Sequence, residues 1–225
     1  MKRLLKQFIY KLGYSPKISI PHGKKGILEV GHRRYVGGMW DEIGKLQFDF
    51  LLKNGLKEHH VFLDIACGSL RAGRFLIPYL GEANYLGIDK EQELIDLGLE
   101  NELEKEIIQQ KRPELIVSND FEFHKFSKIA KFAIAQSLFT HLPPKLIHSC
   151  FQKLRRNFDE QGVFFATYFI TEHQAINQSK PHDHGIFKYT KDQVIEFGNL
   201  NGWNAEFIGE WNHPRNQQIV RYTIK

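Results

Sequence analysis

The sequence predicts an α/β domain with a seven-stranded, mostly parallel sheet whose last strand is antiparallel, helices on both faces and an N-terminal helical cap. Three observations predict it. From residue 60 onward, short apolar runs alternate with runs of helical period, the pattern of strands joined by crossover helices. The last two strand-like runs are joined by little more than His213-Pro214-Arg215-Asn216, where no crossover helix fits, so that pair is antiparallel. Hydrophobic residues are 42% and charged residues 25% of 225 positions, which excludes general disorder, and no apolar run approaches a membrane span.

The first twelve residues, MKRLLKQFIYKL, set Leu4, Leu5, Phe8, Ile9 and Leu12 at helical spacing, with Lys2, Arg3, Lys6 and Lys11 on the other face. Such a helix either makes weak contact with an anionic membrane surface or packs on its own domain or on a second subunit; packing is the preferred reading. It is too short and too interrupted for a signal peptide. Gly13–Gly26 holds two prolines and three glycines and reads as a linker. Residues 1–30 are thus expected to be an extension and 31–225 the domain, with its cap at 31–56. Asp41 is read as the N-cap of a helix carrying Ile43, Leu46, Phe50 and Leu51, and Asn54-Gly55 stops it. A strand at His60–Ile65, a helix at Arg71–Leu80 and a strand at Tyr85–Ile88 follow. Glu91–Gln110 reads as one long helix. Leu115–Ser118 and Phe132–Gln136 are strands, Pro143–Phe158 a helix with proline in its first turn, and Gly162–Phe169 a strand. Lys191–Asn201 is a helix, and Glu206–Trp211 and Gln218–Ile224 are the final strands.

Net charge is +5, diffuse enough to permit an anionic small molecule without pointing to nucleic acid. Two cysteines, Cys67 and Cys150, exclude a disulfide framework and favour a reducing, cytoplasmic setting.

Chemistry concentrates in VFLDIACGSLRAGRFL, residues 61–76. A strand ends at Asp64, a small-residue turn follows through Ala66, Gly68 and Ser69, and a helix begins near Arg71. Ligands of open α/β sheets bind at such strand tips, where small residues let the backbone approach closely. A second acid, Asp89, ends the next strand 25 positions after Asp64. A carboxylate there suits the two hydroxyls of a ribose, since it offers two acceptor oxygens. Asn119-Asp120-Phe121 ends the third strand, where a polar side chain and an aromatic can hold adenine. The turn lacks the G-x-G-x-x-G of dinucleotide sites, and Asp64 sits badly beside a pyrophosphate but well near an ammonium group. The pair of acids favours a cationic, phosphate-free adenosine ligand.

On these residues the chain resembles the class I S-adenosylmethionine-dependent methyltransferases, with their Rossmann-like fold. LDIACGS is similar to their first motif, YLGID to their ribose-binding acid, and FAIAQSLFTHLPP and LRRNFDEQGVFFATYF to their fourth-strand and fifth-strand regions. The resemblance spans residues 30–225. GHRRYVGGMWDEIGKLQ and WNHPRNQ resemble a bacterial small-molecule branch associated with surface polysaccharides and secondary metabolites. The resemblance implies S-adenosylmethionine as cofactor and methyl transfer to oxygen of a small polar acceptor, anionic or sugar-like; nitrogen or carbon acceptors, a nicotinamide oxidoreductase and a non-catalytic adenosine-binding protein are the rivals. It implies cofactor contacts from Tyr35, Trp40, Asp64, Ala66, Gly68, Ser69, Asp89, Lys90, Asp120, Phe121, Gln136 and Ser137. Two departures stand out: Ala66 replaces a glycine and fits if its φ is negative, and Leu70 at the third glycine position narrows the room for ligand. No Asn-Pro-Pro-Tyr occurs, so methylation of base or glutamine amino groups gains no support.

His141, just after the fourth strand, is the first candidate for a general base, and capping the next helix or bonding to backbone is its plainer role. His182, Asp183 and His184 lie on a loop after the fifth strand. A solvated loop is preferred there over a metal site, with a substrate-facing His184 between the two. Tyr35 and Trp40 around Gly37-Gly38 read either as a lid whose aromatics meet a sulfonium or as core plugs. Arg33 and Arg34 are candidates for an anion on the substrate. Cys67 reads as a small packing residue rather than a nucleophile.

Overall fold

The computed structural model describes residues 20–225. The basic run 1–12 and the first part of the expected linker lie outside the described residues. The elements are α1 (Gly23–Val30), α2 (His32–Tyr35), α3 (Trp40–Lys53), β1 (Phe62–Ile65), α4 (Gly73–Tyr79), β2 (Tyr85–Asp89), α5 (Gln92–Glu102), α6 (Lys105–Lys111), β3 (Glu114–Val117), β4 (Ala130–Ala135), α7 (Pro144–Arg155), β5 (Phe158–Ile170), β6 (Lys188–Tyr189), α8 (Lys191–Asn199), β7 (Trp203–Gly209) and β8 (Gln218–Ile224). Short 3-10 turns lie at Phe123–Lys125 and Phe139–His141.

Seven strands run in the order β3-β2-β1-β4-β5-β8-β7, and the two-residue β6 pairs with the end of β5. β1 pairs in parallel with β2 and with β4, so the chain reverses its direction of travel across the sheet beside β1. That reversal opens a crevice at the carboxyl ends of β1 and β4. β8 is antiparallel to both β5 and β7, as the short connection requires.

Period-two alternation decides which helix layer each strand residue meets. Leu63 and Ile65 of β1, Ala133 and Ala135 of β4, and Phe164, Ala166 and Tyr168 of β5 pack with Ile147, Phe151 and Leu154 of α7 and Phe197 of α8. Phe62, Phe132, Ile134 and Phe165 face the other way, toward Leu51 of α3, Leu76 and Ile77 of α4 and Ile95 of α5. Asp64 shares the face of Phe62. It is therefore a carboxylate placed on a buried face by register, and that face is closed at the strand tip by a polar site.

Several expectations are corrected. Residues 23–26 of the expected linker belong to α1, whose Ile27 is fully buried against Tyr35 and Leu94. The long helix expected over Glu91–Gln110 is two, broken where Leu103 turns extended (φ −137°, ψ 140°). The break leaves Glu102 turned to His32, Arg33 and Trp40. Asp41 is not the N-cap of α3; Met39 holds that position at φ 47°, and Asp41 pairs with Arg74. The helix expected to run to Phe158 ends at Arg155, and Phe158 opens β5 four residues before Gly162. Among the described residues no helix is long and apolar enough to cross a membrane.

Candidate functional site

A cavity of about 1080 Å³ opens over the carboxyl ends of β1, β2 and β4. Its floor begins at the turn after β1. Ala66, Gly68 and Leu70 there have φ of 63°, 55° and 64°. Ala66 thus takes the left-handed region, not the negative φ expected of it, at a cost of about 1–2 kcal/mol for a residue bearing a Cβ. Leu70 is also left-handed but points into the core, fully buried, so it leaves the ligand's room intact.

Four amide hydrogens of this turn are spoken for. Ala66 N and Cys67 N donate to Ile88 O, at 2.8 and 3.0 Å, and Leu70 N donates to Cys67 O at 3.1 Å. Gly68 N donates to Asp89 Oδ2 at 2.8 Å. A pyrophosphate needs such amides free. Here they tie β1, β2 and Asp89 into one rigid unit instead.

Both acids line the cavity. Asp64, 4% exposed, accepts a hydrogen bond from Tyr85 Oη at 2.8 Å. Burial pushes its carboxyl up to about 7, against the pull of Tyr85 and of the nearby Arg71 charge. Asp89 also accepts from Glu91 N at 3.0 Å. Each Asp89 oxygen therefore carries one backbone bond and keeps acceptor capacity toward the cavity. Burial raises its pKa as well, with the two backbone bonds opposing.

Beyond β4 lies a polar network. Gln136 Oε1 accepts from Arg71 at 2.5 Å, and Gln136 Nε2 donates to Ser137 Oγ at 2.7 Å and lies 3.0 Å from His213 Nε2. Ser137, at φ 59°, donates its amide to Thr167 Oγ1. Gln217 Oε1 takes the hydroxyls of Ser137 and Thr167 at 3.0 and 2.7 Å.

The far wall is the loop after β5. Asp183 accepts from Tyr35 Oη at 3.0 Å, lies 2.9 Å from His22 Nδ1 and pairs with Lys90. Burial opposes its ionisation, but the bonds from Lys90 and His22 outweigh it and hold the carboxyl at about 2. Four separate segments thus meet at one carboxylate, so this is a fastened wall and not the solvated loop that composition suggests. His141 Nδ1 lies 2.6 Å from Gly185 O and donates to it, which leaves the Nε2 lone pair uncommitted. Burial lowers its pKa and keeps the ring neutral near pH 7. Nε2 of His184 is buried with no partner among the described residues.

Of the residues expected at the site, Tyr35, Asp64, Ala66, Gly68, Asp89, Lys90, Phe121, Gln136, Ser137, His141 and His184 line this cavity. Three do not. Trp40 is a plug whose Nε1 donates to Glu102 at 3.1 Å. Ser69 is fully buried beneath the turn, against Gly98. Asp120 points outward and pairs with Lys153 at 2.6 Å. Arg33 is likewise committed, with two bonds to Glu102 at 2.7 and 2.9 Å. Cys67 lines the cavity as a buried thiol whose pKa burial raises, which suits packing. Sequence reasoning missed Arg71, Arg215 and Gln217. Arg71 had one signal, a cation directly after the small-residue turn.

No family model matches the sequence, and no curated protein matches it. Solved structures do match. Magnesium protoporphyrin IX methyltransferase from Synechocystis PCC 6803, with bound SAM, superposes with TM-score 0.59 at 11% identity, covering 98% of this chain and 91% of that one. The glycopeptide N-methyltransferase MtfA gives 0.62 at 12%, covering 83% and 92%. A putative O-methyltransferase from Nostoc punctiforme PCC 73102 gives 0.62 at 14%, covering 96% and 66%. Strand order, reversed β8 and these likenesses together show that the chain has the Rossmann-like methyltransferase fold.

Proposed function

We propose that the chain binds S-adenosylmethionine and catalyses methyl transfer to an oxygen of a small polar acceptor, a sugar or secondary metabolite. One observation carries the reading. Two buried acids, Asp64 and Asp89, flank a glycine turn in which the amides of Ala66, Cys67, Gly68 and Leu70 are already engaged, so the site suits a cationic adenosine and disfavours a pyrophosphate. The residues fit that cofactor. Asp89 has acceptor capacity for the ribose hydroxyls, Asp64 faces where an ammonium group would be neutralised, and Asn119 and Phe121 line the adenine end. When bound, the cofactor supplies a methyl group activated by a positive sulfur.

The chain's own part is positioning, exclusion of water and proton acceptance. His141 Nε2 takes the proton of the acceptor hydroxyl, its ring oriented by the Nδ1 bond to Gly185 O. His184 is the second imidazole available to the acceptor. Structures with this fold include both N- and O-methyltransferases, so the choice of oxygen rests on His141.

Calorimetry with S-adenosylmethionine, S-adenosylhomocysteine and NAD is the test. Binding of the first two, lost in Asp89→Ala, is expected. Binding of NAD with neither of the others refutes the reading. Transfer of labelled methyl to a small molecule in extract, abolished in His141→Ala, is the catalytic arm.

A further inference from the structure

The cavity has a second electrostatic pole that the adenosine reading leaves unused. Arg71 is 9% exposed, yet its bonds go only to neutral acceptors: Val36 O at 3.4 Å, Gly38 O at 3.1 Å and Gln136 Oε1 at 2.5 Å. Arg215, at the rim from the β7–β8 loop, reaches Gly37 O. Both line the cavity. Among the described residues neither guanidinium has a carboxylate within 4.0 Å, and of the arginines that lack one Arg71 is buried. Asp64 favours the Arg71 charge from further off, but its near bond is to Tyr85. A buried guanidinium without a close counter-ion is costly, and an anion arriving from outside relieves that cost.

The surroundings have the same character. Burial, with the charges of Arg71 and Arg215, pushes His213 down to about 4, so it adds no charge of its own and stays a neutral neighbour. The amides of Gln136 and Gln217 complete a polar wall. Arg71 reaches this pole from the turn after β1, and Gln136 and Gln217 bring to it the end of β4 and the start of β8.

We propose that Arg71 and Arg215 form an anion subsite for the methyl acceptor, which is therefore a hydroxyl compound bearing a carboxylate or a phosphate. The guanidinium fork matches the oxygens of either anion. The inference rests on the methyltransferase reading, and the experiment separates the two.

The protein is first saturated with S-adenosylhomocysteine, so that the cofactor's own carboxylate is in place. Inorganic phosphate and malonate are then titrated in turn at constant ionic strength, followed by calorimetry and by ligand-observed NMR. Saturable binding of one probe is expected, weakened about tenfold or more in Arg215→Gln. The same loss of charge in Arg221→Gln, on the exposed side of β8, is expected to change nothing. Preference for malonate or phosphate tells carboxylate from phosphate acceptors. Three results overturn the proposal: no saturable binding with or without S-adenosylhomocysteine, equal weakening in both variants, or binding of the probe only when S-adenosylhomocysteine is left out. The last would assign the arginines to the cofactor's carboxylate. If S-adenosylhomocysteine itself fails to bind, the methyltransferase reading falls and takes the acceptor subsite with it.

Discussion

Replacing Asp64 with Asn should make the protein more stable above neutral pH while weakening it as a binder. The carboxyl is raised from 3.8 to about 7 by burial. About 3 units correspond to about 4 kcal/mol of preference for the protonated form. Below pH 3.8 both folded and unfolded chains hold the proton and nothing is lost. Between there and pH 7 the unfolded chain ionises while the folded one keeps its proton, so stability falls as pH rises. Above pH 7 the loss is complete. Asparagine keeps the shape and an acceptor oxygen for Tyr85 Oη, but it cannot ionise. The stability difference between variant and wild type should therefore grow by about 4 kcal/mol across the window, more than half of it between pH 5 and 8. His141, His184 and His213, whose pKa values burial lowers, give the opposite slope below about pH 6.5. They are present in both proteins and cancel in the difference. Urea denaturation of the two proteins at pH 5, 6, 7 and 8 measures it. A difference that stays flat over that range refutes the reasoning. Calorimetry on the same samples should show S-adenosylmethionine bound at least about tenfold more weakly by the variant.

Gly98 lets α5 lie against the turn: a Cβ there would stand 2.7 Å from the carbonyl carbon of Ser69 and 2.8 Å from its oxygen. Gly98→Ala should cost about 1–3 kcal/mol in denaturant and loosen ligand binding together with it. His141→Gln retains a donor for Gly185 O but no base, so kcat should fall about 100-fold or more with KM for S-adenosylmethionine little changed, and the acid limb of the pH–rate profile should vanish. Asp183→Asn removes the charge that gathers Lys90 and His22. Its carboxyl is held down at about 2, so the stability it contributes is present above pH 3.8 and lost as pH falls toward 2. Discounted for partial exposure, the variant should lose about 1 kcal/mol at pH 7 and none at pH 2, read by thermal melts at both pH values.

What was legible in the sequence is what short-range pattern encodes. Strand runs such as FLDI and YLGID announce themselves by apolar run length, and each carries an acid in its last two positions, so its place near a strand tip follows at once. The seven-strand path and the antiparallel end follow from element order and one short loop. The break between α5 and α6 was not legible, because amphipathic spacing continues through Leu103 and only the tertiary pull on Glu102 interrupts it. Trp40 read equally as a lid, because a Gly-Gly pair precedes it, or as a core plug, and the partner that decides for the plug, Glu102, lies 62 residues away. Asp120 stands one residue before Phe121, which lines the cavity, and sequence adjacency says nothing about which of two neighbours faces inward at a turn. The Gln136–Gln217 contact spans 81 positions, and neither residue carries a local mark of it.

Four costs of different kinds meet at one place in this molecule. Ala66 and Leu70 take a backbone conformation that glycine would hold more cheaply, Asp64 is a carboxyl kept where burial disfavours its charge, and Arg71 is a guanidinium with neutral partners. Each is a departure from what folding alone would select, and all lie within eight residues of the chain, at the tip of β1. Two of them, Asp64 and Arg71, are opposite charges that stop short of a salt bridge with each other. A fold selected only for stability would close that gap or replace both groups with apolar ones. Leaving them unpaired with each other keeps both groups facing the cavity, where a cationic cofactor and an anionic acceptor engage them on binding. The stabilisation withheld from folding is thereby available to binding, which is why Asp64→Asn is expected to move stability and affinity in opposite directions.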